Sequence, residues 1–105
     1  MHNCIFCKII NKKIKSTIVY EDDEIIAFHD LFPKADIHIL IIPKLHIESM
    51  LTLDSSHIHL MGQLMVKTNQ IAVNLGLDGY KININNGEKG GQEIPHLHLH
   101  LLANK

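Results

Sequence analysis

The sequence predicts an α+β domain: one antiparallel sheet of about five strands, carrying one long helix and one short helix. Three observations lead there. Five segments alternate at period two or are rich in β-branched residues, only residues 55–75 hold helical apolar spacing over many turns, and 105 residues suffice for one core organised by one sheet. Residues 1–105 are therefore read as a single domain.

In chain order, apolar residues at 5, 6, 9 and 10 have helical spacing and predict a short helix over Ile5 to Ile10. Residues 17–20 and 25–29 read as strands of a hairpin, joined by the acidic turn Glu21-Asp22-Asp23-Glu24. Residues 30–36, with Pro33 inside, form a loop. Ile37-His38-Ile39-Leu40-Ile41-Ile42 is a β-branched run, expected as a central strand ended by Pro43. Residues 55–75 form the long helix, capped by Asp54 or Ser55. Its expected apolar stripe is Ile58, Met61, Leu64, Met65, Ile71, Ala72 and Leu75, with Gly76 as C′ residue. Residues 80–85 alternate Tyr80, Ile82 and Ile84 with Lys81, Asn83 and Asn85, a half-buried strand. Residues 86–93 hold Gly87, Gly90 and Gly91 and form a loop leading into His96-Leu97-His98-Leu99-His100-Leu101-Leu102.

Composition excludes several function classes. Apolar residues make up 46% of the chain, and no apolar run approaches the ~20 residues that span a bilayer. A formal charge of −1 argues against a nucleic-acid-coating surface. Met1-His2-Asn3-Cys4 lacks the basic start and apolar stretch of an export signal, so a cytoplasmic location with reduced Cys4 and Cys7 is expected. All ten basic residues are lysines. A phosphate site here must do without the bidentate guanidinium clamp and rely on backbone N–H groups, histidines, amides or lysine.

The histidine strand carries the chemistry. Period two puts His96, His98 and His100 on one face and Leu97, Leu99 and Leu101 on the other. Three imidazoles in a row are costly unless hydrated, hydrogen-bonded, metallated or at work. Gly90-Gly91-Gln92 is expected to offer several backbone N–H groups to an anion beside His98 and His100, since glycine reaches φ > 0. A neutral imidazole attacks phosphorus, and a second, protonated one steadies charge or protonates a leaving group, which suggests nucleotidyl transfer through a phosphohistidine-type intermediate. A metal-binding or merely hydrated strand is the alternative.

His96 to Leu102 resembles the His-φ-His-φ-His-φ-φ signature of the histidine triad family, where φ is apolar. Further segments align in order with that family: Cys4-Ile5-Phe6-Cys7-Lys8-Ile9-Ile10, Tyr20-Glu21-Asp22-Asp23, Ala27-Phe28-His29-Asp30, His38-Ile39-Leu40-Ile41-Ile42-Pro43-Lys44, and Asn85-Asn86-Gly87 followed by Gly90-Gly91-Gln92-Glu93. The chain looks like the Hint branch, whose members bind purine nucleotides and hydrolyse nucleoside phosphoramidates and related adenylates. The resemblance implies His98 as nucleophile toward the α-phosphorus, with His100 and His38 flanking the phosphate and aiding departure of the leaving group. It implies phosphate contacts from Asn85, Gln92 and Gly91, a ribose grip by Asp30, and a base cleft of Ile5, Phe6, Ile9, Phe28, Leu31 and Leu40, with His29 at a pocket position.

The resemblance also implies a homodimer paired through the long helix and the 80–85 strand. Dinucleoside polyphosphate hydrolysis and non-catalytic nucleotide binding on the same fold are the competing functions. Glu93 stands before Ile94-Pro95, where many relatives carry a small hydroxyl residue near the scissile bond. A carboxylate there would favour amine over anionic leaving groups. Many Hint-like proteins also continue past the position of Lys105 into a tail that shapes the leaving-group pocket.

Cys4-x-x-Cys7 has three readings. A redox pair would need a βαβ context, which is missing. A tetrahedral zinc site needs two more ligands, for which His46 and His96 are the candidates, a pairing some relatives use. Unused thiols are the third. Zinc would leave His96 structural and free His98 and His100 for chemistry. His57 and His59 read as solvated, and terminal His2 is expected to be disordered.

Overall fold

A computed structural model describes residues 3–105; Met1 and His2 lie outside the described residues, and with His2 the expectation made for it. Helix α1 (Ile5–Ile10) precedes strands β1 (Ile18–Glu21), β2 (Ile25–His29) and β3 (Ile37–Pro43). Helix α2 (Ile58–Asn74), β4 (Lys81–Asn83) and β5 (Leu99–Ala103) follow. The five strands form one antiparallel sheet in the order β1-β2-β3-β5-β4. Among the described residues no helix is long and apolar enough to cross a membrane.

The sheet is covered on both faces, which explains why β3 reads as an apolar run from Ile39 to Ile42. Ile25, Ala27, Ile39, Ile41, Leu97, Leu99 and Leu101 pack with Leu64, Ile71 and Ala72 of α2. Ile26, Phe28, Leu40 and Ile42 face the other way and pack with Cys4, Phe6 and Ile9 at α1. The period-two rule then puts the even-numbered residues of β5 and β3, including His100 and His38, on the α1 face, and His98, just ahead of β5, packs on the same side against Phe6. In register, Leu40 lies opposite His100 and Ile41 opposite Leu99, so the apolar and histidine faces of neighbouring strands coincide.

Several expectations change. The long helix opens with a 3₁₀ turn (Ser55–His57), and α2 begins at Ile58. Asp54 caps the turn by accepting the Ser56 N–H at 2.8 Å, and His57 answers by accepting the Asp54 N–H at 3.1 Å. His57 is therefore a capping residue rather than a solvated one; His59 is exposed as expected. Of the expected stripe, Ile58 is 71% exposed and Met65 44%, whereas Thr68 is fully buried. The Thr68 hydroxyl donates to the Leu64 carbonyl at 2.7 Å, which makes a polar residue acceptable on the inner face. Gly76 closes α2 at φ 74°. Its N–H bonds to Val73 O at 2.9 Å and that of Leu77 to Ala72 O at 3.1 Å, which only a left-handed C′ residue allows.

The 80–85 strand shortens to three residues because it pairs only with β5. The histidine strand starts at Leu99, not His96, because the preceding segment bonds elsewhere: the Leu97 N–H donates to Ile47 O at 2.6 Å. The acidic turn is less free than its sequence suggests. Glu21 sits in β1 and pairs with Lys12 and Lys44, and these lysines hold its carboxyl below the usual carboxylate range.

Candidate active site and metal centre

On the α1 face the chain encloses a cavity of about 310 Å³. The α1 residues Ile5, Phe6 and Ile9, with Phe28 and Leu40 of the sheet, form its apolar wall. His38, His98, His100, Asp30 and Asn85 supply the polar side, and Gly91, His29 and Leu31 line it as well, Leu31 being 79% exposed. Every residue that the sequence singles out for catalysis or nucleotide contact lines this cavity except Gln92.

Gln92 is occupied elsewhere. Its Oε1 accepts the Gly87 N–H at 2.8 Å, and its Nε2 donates to Glu48 O at 2.6 Å and Ile94 O at 2.9 Å. The side chain braces the glycine loop from behind. The expected anion nest is also absent among the described residues. The N–H groups of Gly90, Gly91 and Gln92 are donated to carbonyls of Gly87 and Glu88 inside the loop. What the loop does instead is position Asn85, whose Nδ2 donates to Gly90 O at 2.8 Å. Gly91 sits at φ 83°, a conformation that disfavours a side chain, 3.5 Å from Asn85 Nδ2 where a Cβ would be.

Partners of fixed polarity settle the proton positions on the imidazoles. His98 Nδ1 lies 2.6 Å from the His96 carbonyl oxygen, which can only accept. Nδ1 therefore carries the proton, and Nε2 keeps its lone pair. The Lys34 backbone N–H can only donate, and it does so to His38 Nδ1 at 3.1 Å. His38 is thus protonated at Nε2, which donates to His100 Nδ1 at 2.9 Å and lies 3.4 Å from Asp30 Oδ2. By the same logic His100 carries its proton on Nε2. The three rings are in contact, His98 and His100 at 4.9 Å between centroids and Phe6 edge-on to His98 at 5.1 Å.

Burial depresses all three imidazoles. His100 is pushed down to about 4, by burial first and then by His98 and His38. Burial also lowers His98, against the His96 carbonyl, and His38, against Asp30. The site therefore presents neutral rings rather than the expected neutral and protonated pair, because burial disfavours the charged form; one ring keeps a free lone pair for attack on phosphorus and one a free N–H for the leaving group.

Cys4, Cys7, His46 and His96 meet on the far side of α1, their donor atoms all within 4.8 Å of one another. Cys4 Sγ and Cys7 Sγ lie 3.3 and 3.7 Å from His96 Nδ1, and Cys7 Sγ lies 3.3 Å from His46 Nδ1. Zinc at its usual bond lengths sets tetrahedral donors about 3.3–3.8 Å apart, so these four fit. His96 Nε2 donates to Pro43 O at 2.8 Å, leaving Nδ1 as the ligand atom and fixing the ring as metal-bound histidines generally are. Burial and then Cys4 push the Cys7 thiol up to about 11, a conflict that a divalent cation relieves. Bound there, the ion would supply structural cross-linking and charge neutralisation.

Asp30, His38 and His100 also cluster at ligand distances, but the tautomer rules out a metal. An ion on His38 Nε2 would force the ring proton onto Nδ1, against the Lys34 N–H. Sequence reasoning missed Ile14, Lys15, Ser16, Phe32, Lys34 and Ile94 in the cavity wall. Only one signal was available: Asp30 Oδ1 accepts the Phe32 N–H at 2.8 Å, the turn that an aspartate two residues ahead commonly makes. That turn carries the Lys34 N–H to His38.

A family model described as "Scavenger mRNA decapping enzyme C-term binding" matches residues 3–105. Protein HitA of Neisseria gonorrhoeae is 48% identical over 104 residues, covering 98% of this chain and 97% of that protein. A 14 kDa zinc-binding protein of Brassica juncea is 41% identical over 104 residues, 96% of this chain and 92% of its own. Among solved structures, a histidine triad protein from Clostridium difficile superposes with a TM-score of 0.95 at 45% identity, covering 100% of this chain and 93% of its own. A HIT family hydrolase from Legionella pneumophila superposes at 0.94 and 41% identity, covering 96% and 92%.

Proposed function

Because the chain belongs to the histidine triad family, we propose that it hydrolyses purine nucleoside phosphoramidates or related adenylates at the α-phosphorus, through a nucleotidyl intermediate on His98. The observation that carries this reading is the His98 Nδ1–H bond to the His96 carbonyl, which points the unprotonated nitrogen at substrate. In the first step His98 Nε2 bonds to phosphorus, the bond from phosphorus to the leaving nitrogen breaks, and the amine departs with a proton relayed through the His38–His100 pair. Water then attacks the same phosphorus, the bond to His98 breaks, and the water's protons go to the mononucleotide and back to the relay.

Asp30 takes the ribose hydroxyls, the α1 wall takes the base, and Asn85 and Gly91 bound the phosphate. Gln92 serves the site through the loop it braces. Zinc held by Cys4, Cys7, His46 and His96 is structural. In this reading the protein is a homodimer, and two surface features support that. Ile58, Met65, Val66 and Val73 are exposed and fall on one outer stripe of α2 at helical spacing. The sheet ends on β4 with an unpaired edge beside that stripe, tied to it by the Tyr80 hydroxyl donating to Asn69 at 2.6 Å.

The test is release of AMP from an adenosine phosphoramidate. His98→Ala should lower kcat/KM at least about 10³-fold while AMP still binds. Turnover retained in His98→Ala, or a label trapped on another side chain, refutes the mechanism; nucleotide binding without turnover in wild type favours a binding module.

A further inference from the structure

Glu93 lines the cavity beside His98, together with Asn85, Gly91, Ile94 and His100. It is exposed, and among the described residues its carboxylate forms no ion pair. Its charge is felt at His98. At His98 the Asp30 carboxylate acts in the same sense, ahead of Glu93. Two cations, Lys15 and Lys34, line the cavity; Lys34 acts on His38 and His100, and neither lysine is among the charges felt at His98. The negative charge at the nucleophile's side is therefore not offset by a neighbouring lysine, and the chain has no arginine to offset it.

With the base against α1 and the ribose at Asp30, the leaving group on the His98 side would meet Gly91, Glu93 and Ile94, of which only Glu93 is charged. We propose that Glu93 is a specificity-determining residue that selects nucleoside phosphoramidates whose departing amine bears a positive charge, and disfavours polyphosphate leaving groups. The carboxylate acts through its field and takes no part in proton transfer. In the reaction it biases, the bond from phosphorus to nitrogen breaks, the amine leaves with one added proton, and water releases the nucleotide from His98. The inference rests on the activity proposed above.

A carboxylate several ångströms from a unit charge in a partly hydrated cleft changes kcat/KM by about 3- to 10-fold per unit of leaving-group charge, less at high salt. The experiment compares three adenosine 5′-phosphoramidates of equal alkyl length, ending in an ammonium, a methyl or a carboxylate, plus a diadenosine polyphosphate. Wild type should prefer them in the order ammonium, methyl, carboxylate, with the polyphosphate poorest. Glu93→Gln should level the order, Glu93→Lys should invert it, and raised salt should compress the orders of wild type and Glu93→Lys while leaving that of Glu93→Gln unchanged. Ratios within one variant are the readout, so a partly unfolded preparation does not obscure them. A flat wild-type order, or ratios within about twofold of wild type in Glu93→Gln, overturns the inference while leaving the activity intact. Absence of turnover on the methyl substrate by wild type defeats the activity reading, and the inference with it.

Discussion

Replacing Cys4 with serine isolates the contribution of the Cys/His cluster. Cys4 is the N-cap of α1, its Sγ accepting the Cys7 N–H at 3.4 Å, and serine is a good cap, so the helix start is preserved. The donor lost is a thiolate 3.3 Å from His96 Nδ1, on a histidine that is fully buried. Losing a partner one layer outside the ligands costs metal affinity about 10- to 100-fold, so losing a thiolate ligand costs at least about 10²–10³-fold. At fixed free zinc that difference removes about 2.7–4.1 kcal/mol of metal-linked stability. At about 4 °C per kcal/mol for a domain of this size, Tm should fall by about 11–16 °C. The assay is metal content by mass spectrometry with thermal unfolding, with and without chelator. Wild type should carry equimolar zinc and lose stability to chelator, and Cys4→Ser should lack the metal and ignore the chelator. Wild type purified without metal, at a Tm that chelator leaves unchanged, would refute the reasoning.

Two further outcomes follow from the same geometry. Because His100 is neutral at pH 7, with its value pushed down to about 4, and His98 is depressed by burial, a phosphate's charge raises both. Binding of the AMP methyl ester, whose charge does not titrate, should then take up protons and tighten as pH falls below the ordinary imidazole value of about 6.5 toward 4, by up to tenfold per pH unit for each imidazole; calorimetry in buffers of different ionisation enthalpy reads the uptake, and zero uptake at about pH 5 contradicts it. Val66, 56% exposed on the outer stripe of α2, should as Val66→Glu change monomer stability by no more than about 0.5 kcal/mol yet abolish self-association; sedimentation that finds wild type monomeric, or the variant dimeric, rejects the α2 interface.

Most of the architecture was legible because hydrophobic period maps directly onto faces. Leu97, Leu99 and Leu101 alternate with His96, His98 and His100, and that alternation alone separates the core from the site. The β-branched run from Ile37 to Ile42 signalled a central strand, as the order β1-β2-β3-β5-β4 shows. Where reading failed, partners that the hydrophobic pattern does not show decided. Thr68 is inside because Leu64 O takes its hydroxyl, and Ile58 and Met65 are outside because the sheet contacts a neighbouring stripe of α2. Gln92 looked like a phosphate ligand, since an amide in a glycine loop beside histidines invites that assignment. The Glu48 carbonyl that claims its nitrogen lies 44 residues away.

The sequence by itself determined the residue inventory of the site: two thiols, a row of alternating histidines, one aspartate before a proline loop, and lysine as the sole permanent cation. It also determined which side of the sheet would hold them, because side-chain direction in a strand depends only on parity. Only the tertiary structure decided how the imidazoles divide their work. Proton placement on a ring depends on whether a donor or an acceptor stands against each nitrogen, and those groups (the Pro43 and His96 carbonyls and the Lys34 N–H) are backbone atoms common to every residue type. No side-chain pattern encodes them. Folding brings them into place, and with them the separation of a ligand histidine from a nucleophile two residues along the same chain.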